Sequence, residues 1–214
     1  MKKTVLITGT SSGLGLKMAI LLAKNGYNVY ASMRDTGKNG DLLAEAAAEN
    51  VALHVVQLDV SDNASVNTCV QSIIEKEGSL DVLINNAGAG FAKTTEQASL
   101  EEIDWVIDVN YLSVVRCTKA VLPQMRQQKG GHIINITSVG GLVGQPFNEL
   151  YCGAKFAVEG YTEALATYLT APFGIKLSIV EPGGIATAFN KSAVAKTLVN
   201  GKMSEDAYLP ILQK

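Results

Sequence analysis

Residues 4–16 read Thr4-Val5-Leu6-Ile7-Thr8-Gly9-Thr10-Ser11-Ser12-Gly13-Leu14-Gly15-Leu16, and this stretch decides the fold. Val5-Leu6-Ile7 is a short apolar run closed by Thr8-Gly9, the pattern of a strand buried on both faces. From Gly13 to Lys24 the apolar positions Leu14, Met18, Leu21 and Leu22 recur on one helical stripe, and Asn25-Gly26 ends it. Between strand and helix, glycines at 9, 13 and 15 let the backbone turn sharply and come close to a ligand. The helix start offers free N–H donors and the positive end of its dipole to a pyrophosphate. Strand, glycine loop and helix in this order are the logic of dinucleotide binding at a first βα turn. The spacing is T-G-x-x-x-G-x-G rather than G-x-G-x-x-G, so the general fingerprint is not met.

Working outward, the same alternation repeats. Strands are predicted over 28–33, 51–58, 80–84, 132–137 and 175–180. Helices are predicted over 41–49, from a Ser61-Asp62 cap to Glu77, over 100–128 with an interruption near Pro123, and over 150–171. Strands joined through helices define βαβ units, hence a parallel sheet with helices on both faces. The chain has 214 residues, 47% of them hydrophobic and 18% charged, which suits one folded domain and excludes intrinsic disorder. A net charge of −2 leaves no basic excess for nucleic acid. Three widely spaced cysteines (Cys69, Cys117, Cys152) and two histidines (His54, His132) form neither a metal-ligand pattern nor a disulfide framework, so no metal is expected and a reducing compartment is. Apolar stretches such as Met18 to Ala23 are too short to span a bilayer. Thr8-Gly9 also cuts the run after Lys2-Lys3 too early for a signal peptide. The expectation is a soluble, cytoplasmic protein.

The glycine loop, the run Asn85-Asn86-Ala87-Gly88 and Tyr151-x-x-x-Lys155 together resemble the short-chain dehydrogenase/reductases, over nearly all of residues 3–190. The resemblance implies an α/β, Rossmann-like doubly wound parallel sheet of strand order 3-2-1-4-5-6, with 1–190 as the dinucleotide-binding catalytic domain. It places Gly9, Ser11, Ser12, Gly13, Leu14 and Gly15 at the pyrophosphate and Asp59 and Val60 at the adenine. Asn85, Asn86, Ala87 and Gly88 would line the cofactor, and Pro182, Gly183, Ile185 and Thr187 would close over the nicotinamide. An acid near the end of the second strand accepts from a ribose 2′-hydroxyl, whereas an arginine favours a 2′-phosphate. By resemblance the discriminating position is Met33, which is uncharged, and Arg34 follows it; Arg34 can pair with the phosphate, and Ser12 can add a hydrogen bond. NADP(H) is therefore favoured. Asp35, near the general acidic position, keeps NAD(H) open.

Tyr151 and Lys155 are four apart and share a helical face. A tyrosine hydroxyl titrates near 10, too high for efficient proton exchange at neutral pH, and a lysine ammonium one turn away is expected to lower it. Tyr151 then donates its proton to a carbonyl oxygen as hydride arrives, or removes an alcohol proton in reverse. Ser138 hydrogen-bonds the same oxygen. By resemblance Lys155 also holds the nicotinamide ribose, and Asn110 holds a water that joins Lys155 to solvent. Ser138 as a nucleophile is rejected, because neither histidine offers a partner pattern and no G-x-S-x-G elbow exists.

The stretch from Ser138 to Cys152, with Val29 to Asp35 and Pro172-Phe173-Gly174, is similar to the 17β-hydroxysteroid/retinol dehydrogenase branch. That similarity implies a steroid- or retinoid-like hydrophobic ketone or alcohol, with Leu142, Val143 and Phe147 lining its pocket. A 3-oxoacyl thioester reductase and a non-catalytic NADP(H)-binding sensor are the alternatives. A homodimer or homotetramer is implied through the helices over 100–128 and 150–171, with Phe156, Val158, Leu165 and Leu169 as apolar contributors. Family members usually continue through a further helix and a seventh strand. The sheet is therefore expected to lack that strand, the sequence to be either shortened, recorded in part or that of a trimmed family member, and residues 191–214 to form a substrate lid.

Overall fold

In the computed structural model, which describes residues 2–185 and 207–212, Thr4–Ile7 forms β1 with all four residues buried. It pairs in parallel with β2 (Asn28–Met33) on one side and β4 (Val82–Asn85) on the other, Val5 lying opposite both Val29 and Val82. β3 (His54–Gln57) extends the sheet beyond β2, and β5 (Gly131–Ile136) and β6 (Ile175–Val180) extend it beyond β4. The order is β3-β2-β1-β4-β5-β6, as the resemblance implied. Successive strand side chains point to opposite faces. Val5, Ile7, Val29, Ala31 and Ile84 pack with α1 (Gly13–Lys24) and α2 (Gly40–Ala48). Leu6, Tyr30, Leu83 and Ile133 pack with α3 (Asn63–Glu77), α5 (Ser113–Gln127) and α6 (Glu149–Phe173).

Several expected boundaries move. The strand expected over 51–58 shrinks to β3, whose end residues His54 and Gln57 are exposed because it is an edge strand. In α1, Leu21 points outward at 59% exposure, while Gly15, Leu16, Ala19 and Ile20 are buried. Small residues at 15 and 19 let that helix lie close on the sheet, which rotates the buried stripe. The helix expected over 100–128 is divided, and not at Pro123, which sits inside α5. α4 (Leu100–Ile107) starts on a Ser99–Glu102 capping box, and a π-helical turn, Asp108–Leu112, separates it from α5. Asn110 accounts for the break, since its amide Nδ2 donates to Val106 O and to Ala89 O, both at 3.0 Å. Of the four apolar residues expected on a subunit interface, Val158, Leu165 and Leu169 turn into the chain's own core, and only Phe156 is exposed. Of the expected lid, a helical turn at Leu209–Leu212 is described, and 191–206 and 213–214 lie outside the described residues.

At the carboxyl end of the sheet, Asn85 and Asn135 are register partners on β4 and β5. Asn85 Nδ2 donates to Asn135 Oδ1 at 2.8 Å and to Thr118 Oγ1 at 3.3 Å. Asn135 Nδ2 donates to Thr162 Oγ1 at 2.8 Å, which donates in turn to Val158 O at 2.6 Å. Asn85 is thus spent in the core, tying strands to α5 and α6, and does not line a cofactor as expected. Asn135→Leu leaves these amides and hydroxyls short of partners, and a loss of about 2 to 4 kcal/mol in urea-unfolding stability is expected. An unchanged unfolding midpoint would show that this chain of bonds contributes nothing.

Candidate active site

The site is built on the joint between the ends of β1 and β4. Thr8 Oγ1 accepts from Asn86 N at 3.0 Å and Ala87 N at 2.9 Å. Asn86 Nδ2 answers by donating to Thr8 O at 2.8 Å and Gly9 O at 3.0 Å. The backbones approach so closely that a Cβ on Gly9 would lie 2.9 Å from Ala87 Cα. A Cβ on Gly15 would lie 2.2 Å from Gly9 O and 2.5 Å from Asn86 Nδ2. Gly9 and Gly15 are therefore required by close packing, while Gly13, at φ +59°, turns the chain into α1. Ser12 caps α1 without a side-chain bond, and the helix bonds begin with Leu16 N to Ser12 O. The N–H groups of the first turn have no intrahelical acceptor and are available to an anion.

A cleft of about 730 Å³ starts at this loop and takes in Met33, Arg34, Asp59 and Val60. It continues past Asn86, Ala87 and Gly88 to Ser138, Tyr151 and Lys155, and is bounded by Pro182, Gly183 and Ile185. Ser11, Ser12, Gly13, Leu14 and Gly15 line its near end. Nearly every expected cofactor residue thus borders one cavity; Thr187 lies outside the described residues. Arg34 is exposed at the rim, and its guanidinium has no partner among the described residues. Asp35 is committed elsewhere: its carboxylate accepts from Gly37 N at 3.0 Å, capping a short turn, and sits 4.0 Å from Lys38.

The first turns of α6 carry Tyr151 and Lys155, which are 6% and 4% exposed. Lys155 Nζ donates to Ile136 O at 3.0 Å and lies 5.7 Å from the centre of the Tyr151 ring. Burial lowers its pKa to about 8, against the pull of Glu159. Tyr151 is hydrogen-bonded to Ser138. Its pKa stands above the usual tyrosine value, the reverse of the expected lowering, because burial outweighs the Ser138 hydroxyl that favours the phenolate. Ser138 Oγ also accepts from Gly140 N at 3.0 Å and so caps the turn Val139–Gly141 against α6. Asn110 is fully buried, and its Oδ1 accepts from Ala89 N at 3.0 Å. With both ends of its amide on Ala89, the side chain clamps the loop after β4 to the π-helical turn.

The expected substrate residues are not brought to the cleft. Leu142 and Val143 are 53% and 65% exposed, and Phe147, at φ +62°, lines a separate hollow with Pro146, Tyr208 and Ile211. The mouth beside Tyr151 is formed instead by Trp105, Val109, Val139, Gln145 and Asn148. Trp105 and Val109 are four apart across the α4–π junction, a spacing that flags a shared face in the sequence. Gln145 and Asn148 carry no such signal; they meet through an Asn148 Nδ2 to Gln145 Oε1 bond at 3.0 Å.

The profile of the short chain dehydrogenase family matches residues 3–198. Retinol dehydrogenase 8 of Homo sapiens is 46% identical over 198 residues, covering 91% of this chain and 62% of that protein. 17-beta-hydroxysteroid dehydrogenase type 1 of Homo sapiens is 42% identical over 194 residues, covering 88% and 58%. The chain therefore spans about three fifths of the length of these curated relatives. Among solved structures, an actinorhodin polyketide ketoreductase with NADPH superposes with a TM-score of 0.86 at 31% identity, covering 99% of this chain and 82% of that one. This chain belongs to the short-chain dehydrogenase family, in the branch of the retinol and 17β-hydroxysteroid dehydrogenases. It has the Rossmann-like nucleotide-binding fold of that family. Among the described residues no helix is long and apolar enough to cross a membrane.

Lys155 carries a stability signature. Its folded value of about 8 lies below the ordinary lysine value of about 10.4. Below pH 8 both states hold the proton and the buried cation costs stability in full; between the two values the unfolded chain binds more protons, so stability rises with pH. Lys155→Met is expected to unfold later than wild type by roughly 3 kcal/mol at neutral pH, the gap closing as pH climbs through that window. Urea unfolding at neutral and alkaline pH checks this, and equal stability at neutral pH would contradict it.

Proposed function

We propose that this protein is an NADP(H)-dependent oxidoreductase interconverting a hydrophobic ketone and a secondary alcohol, with Tyr151 as proton donor and acceptor. One observation carries the reading. The same cleft has the glycine loop at one end and the Ser138–Tyr151 hydrogen bond above buried Lys155 at the other. The cradle suits a dinucleotide: the first-turn N–H groups of α1 face the pyrophosphate position, and Asp59 and Val60 flank the adenine position. Arg34, without a partner among the described residues, would hold a 2′-phosphate, while Asp35 is drawn away to Gly37. Ala87, Gly88, Pro182, Gly183, Ile185 and Thr187 would surround the nicotinamide.

When bound, the nicotinamide supplies or accepts the hydride at the substrate carbon. In the reducing direction Tyr151 gives its proton to the carbonyl oxygen, and Ser138 holds that oxygen by a hydrogen bond as charge develops. Lys155, as a cation beside the tyrosine, offsets the charge left on the phenolate. Asn110 keeps Ala89 and Gly88 in place beside Lys155. The names of the retinol and 17β-hydroxysteroid relatives support a retinoid- or steroid-like substrate. The likeness to a polyketide ketoreductase favours, as a second reading, a 3-oxoacyl thioester. Three free cysteines support a reducing, cytoplasmic setting, and exposed Leu112, Phe156 and Tyr168 support a homo-oligomer.

Ketones of both kinds assayed with NADPH and NADH in parallel test the reading. Tyr151→Phe is expected to lower kcat by about a hundredfold or more while NADPH affinity stays within about twofold. Undiminished turnover would remove Tyr151 from the chemistry. Arg34→Ala is expected to lower kcat/KM for NADPH by about tenfold to a hundredfold and to leave NADH nearly unchanged. A wild-type preference for NADH would overturn the assignment of Arg34.

A further inference from the structure

Glu159 lies one helical turn beyond Lys155 on α6 and is only 8% exposed. Its Oε1 is the one buried polar side-chain atom without a hydrogen-bond partner among the described residues. The turn Val139–Gly141 closes directly over this carboxyl: a Cβ on Gly141 would sit 3.0 Å from Oε1 and 3.3 Å from Cγ. Glu159 is also hydrogen-bonded to Thr137, the residue before Ser138. Thr137 Oγ1 also lies 3.2 Å from Val180 O, so the single proton of this hydroxyl goes either to that carbonyl at the β6 end or to the carboxylate. The side chain therefore lies beneath the segment that carries Ser138, on the helix that carries Tyr151 and Lys155.

A carboxyl in that position is costly, because an apolar side chain of the same size would fill the space without a desolvation penalty. The groups acting on it are Lys155 and Glu163 on its own helix and Glu181 beyond β6. Burial above all, with Glu181 and Glu163, holds its pKa above the usual carboxylate value, while the Thr137 hydroxyl and, more weakly, Lys155 favour the ionised form. Lys155 in turn faces the Tyr151 ring and the Ile136 carbonyl, and Glu159 is the acid that holds its proton against burial. Lys155 Nζ donates to Ile136 O and makes no hydrogen bond to Glu159, so the coupling between them runs through space across one helical turn.

We propose that Glu159 is a positioning residue of the site: its buried carboxylate is the counter-charge that keeps Lys155 protonated and anchors the Thr137–Gly141 segment. Through Lys155 it sets the pH range over which Tyr151 exchanges its proton. The inference rests on the oxidoreductase reading of the cleft, and it adds a residue that the motif spacing does not single out.

The test is a titration of protein labelled with ¹³C at lysine Cε, the Lys155 resonance being assigned by its loss in Lys155→Met. Wild type is expected to titrate near 8. Glu159→Gln keeps the shape and removes the charge, and its Lys155 midpoint is expected to fall by about half a unit or more. The alkaline limb of kcat for ketone reduction moves down with it, while KM for the ketone stays within about twofold. Coincident Lys155 midpoints in the two proteins would overturn the proposal, whatever happens to thermal stability. If the glutamine variant does not fold, Glu159→Asp keeps the charge but withdraws it by one methylene; a smaller downward shift supports the proposal and an unmoved midpoint overturns it. A wild type that reduces no ketone would defeat the oxidoreductase reading, while the lysine titration still decides the role of Glu159.

Discussion

The joint between Thr8 and Asn86 is the constraint on which the rest depends. Four hydrogen bonds cross between the ends of β1 and β4, two accepted by one threonine hydroxyl and two donated by one asparagine amide. They draw the two backbones together until only glycine fits at 9 and 15. That closeness places the start of α1 and the loop after β4 on opposite banks of one cleft. In an open parallel sheet, ligands bind beyond the carboxyl ends of the strands, where the connections diverge. Here that divergence, between the β1 connection and the β4 connection, is held shut at its base and open above.

Around this joint the fold concentrates buried polar groups at the same end of the sheet. Asn85, Asn110, Asn135, Lys155 and Glu159 are all below a tenth exposed, in a region where apolar side chains would cost less. The asparagines are satisfied by neighbouring amides, hydroxyls and carbonyls, so they act as rigid spacers between strands and helices. Lys155 and Glu159 are different. Among the described residues Lys155 has one hydrogen bond, to a carbonyl, and Glu159 leaves an oxygen unpartnered. Two imperfectly satisfied ionisable groups, four residues apart and beside a buried tyrosine, are where the fold gives up stability, and on the proposed reading that cost serves the chemistry.

The sheet was largely legible in the sequence because burial on both faces writes itself as short apolar runs such as Val5 to Ile7. The glycine loop and the Tyr151–Lys155 spacing were legible because each is local. What was not legible came from contacts between distant segments. The break at Asp108–Leu112 follows from the reach of Asn110 to Ala89, whereas Pro123, the local signal, leaves α5 intact. Leu21 turns outward because Gly15 and Ala19 set the helix rotation, which a count of large apolar residues does not weigh. The resemblance puts Leu142 and Val143 at a substrate pocket, yet beyond the turn that Ser138 caps they face solvent. Asn85 and Asn86 are adjacent and chemically identical, but strand alternation sends one into the core and the other to the cleft.

On the proposed reading this cleft brings a nicotinamide and a carbonyl together above Tyr151. The measurement that tests it most directly is the fate of the label when the protein reduces a hydrophobic ketone with NADPH deuterated at the nicotinamide C4 on the transferring face. One deuterium is expected on the carbinol carbon of the product, with the hydroxyl proton drawn from solvent. An alcohol whose carbinol hydrogen comes from water, or NADPH that binds without any transfer of label across the ketones, would contradict it.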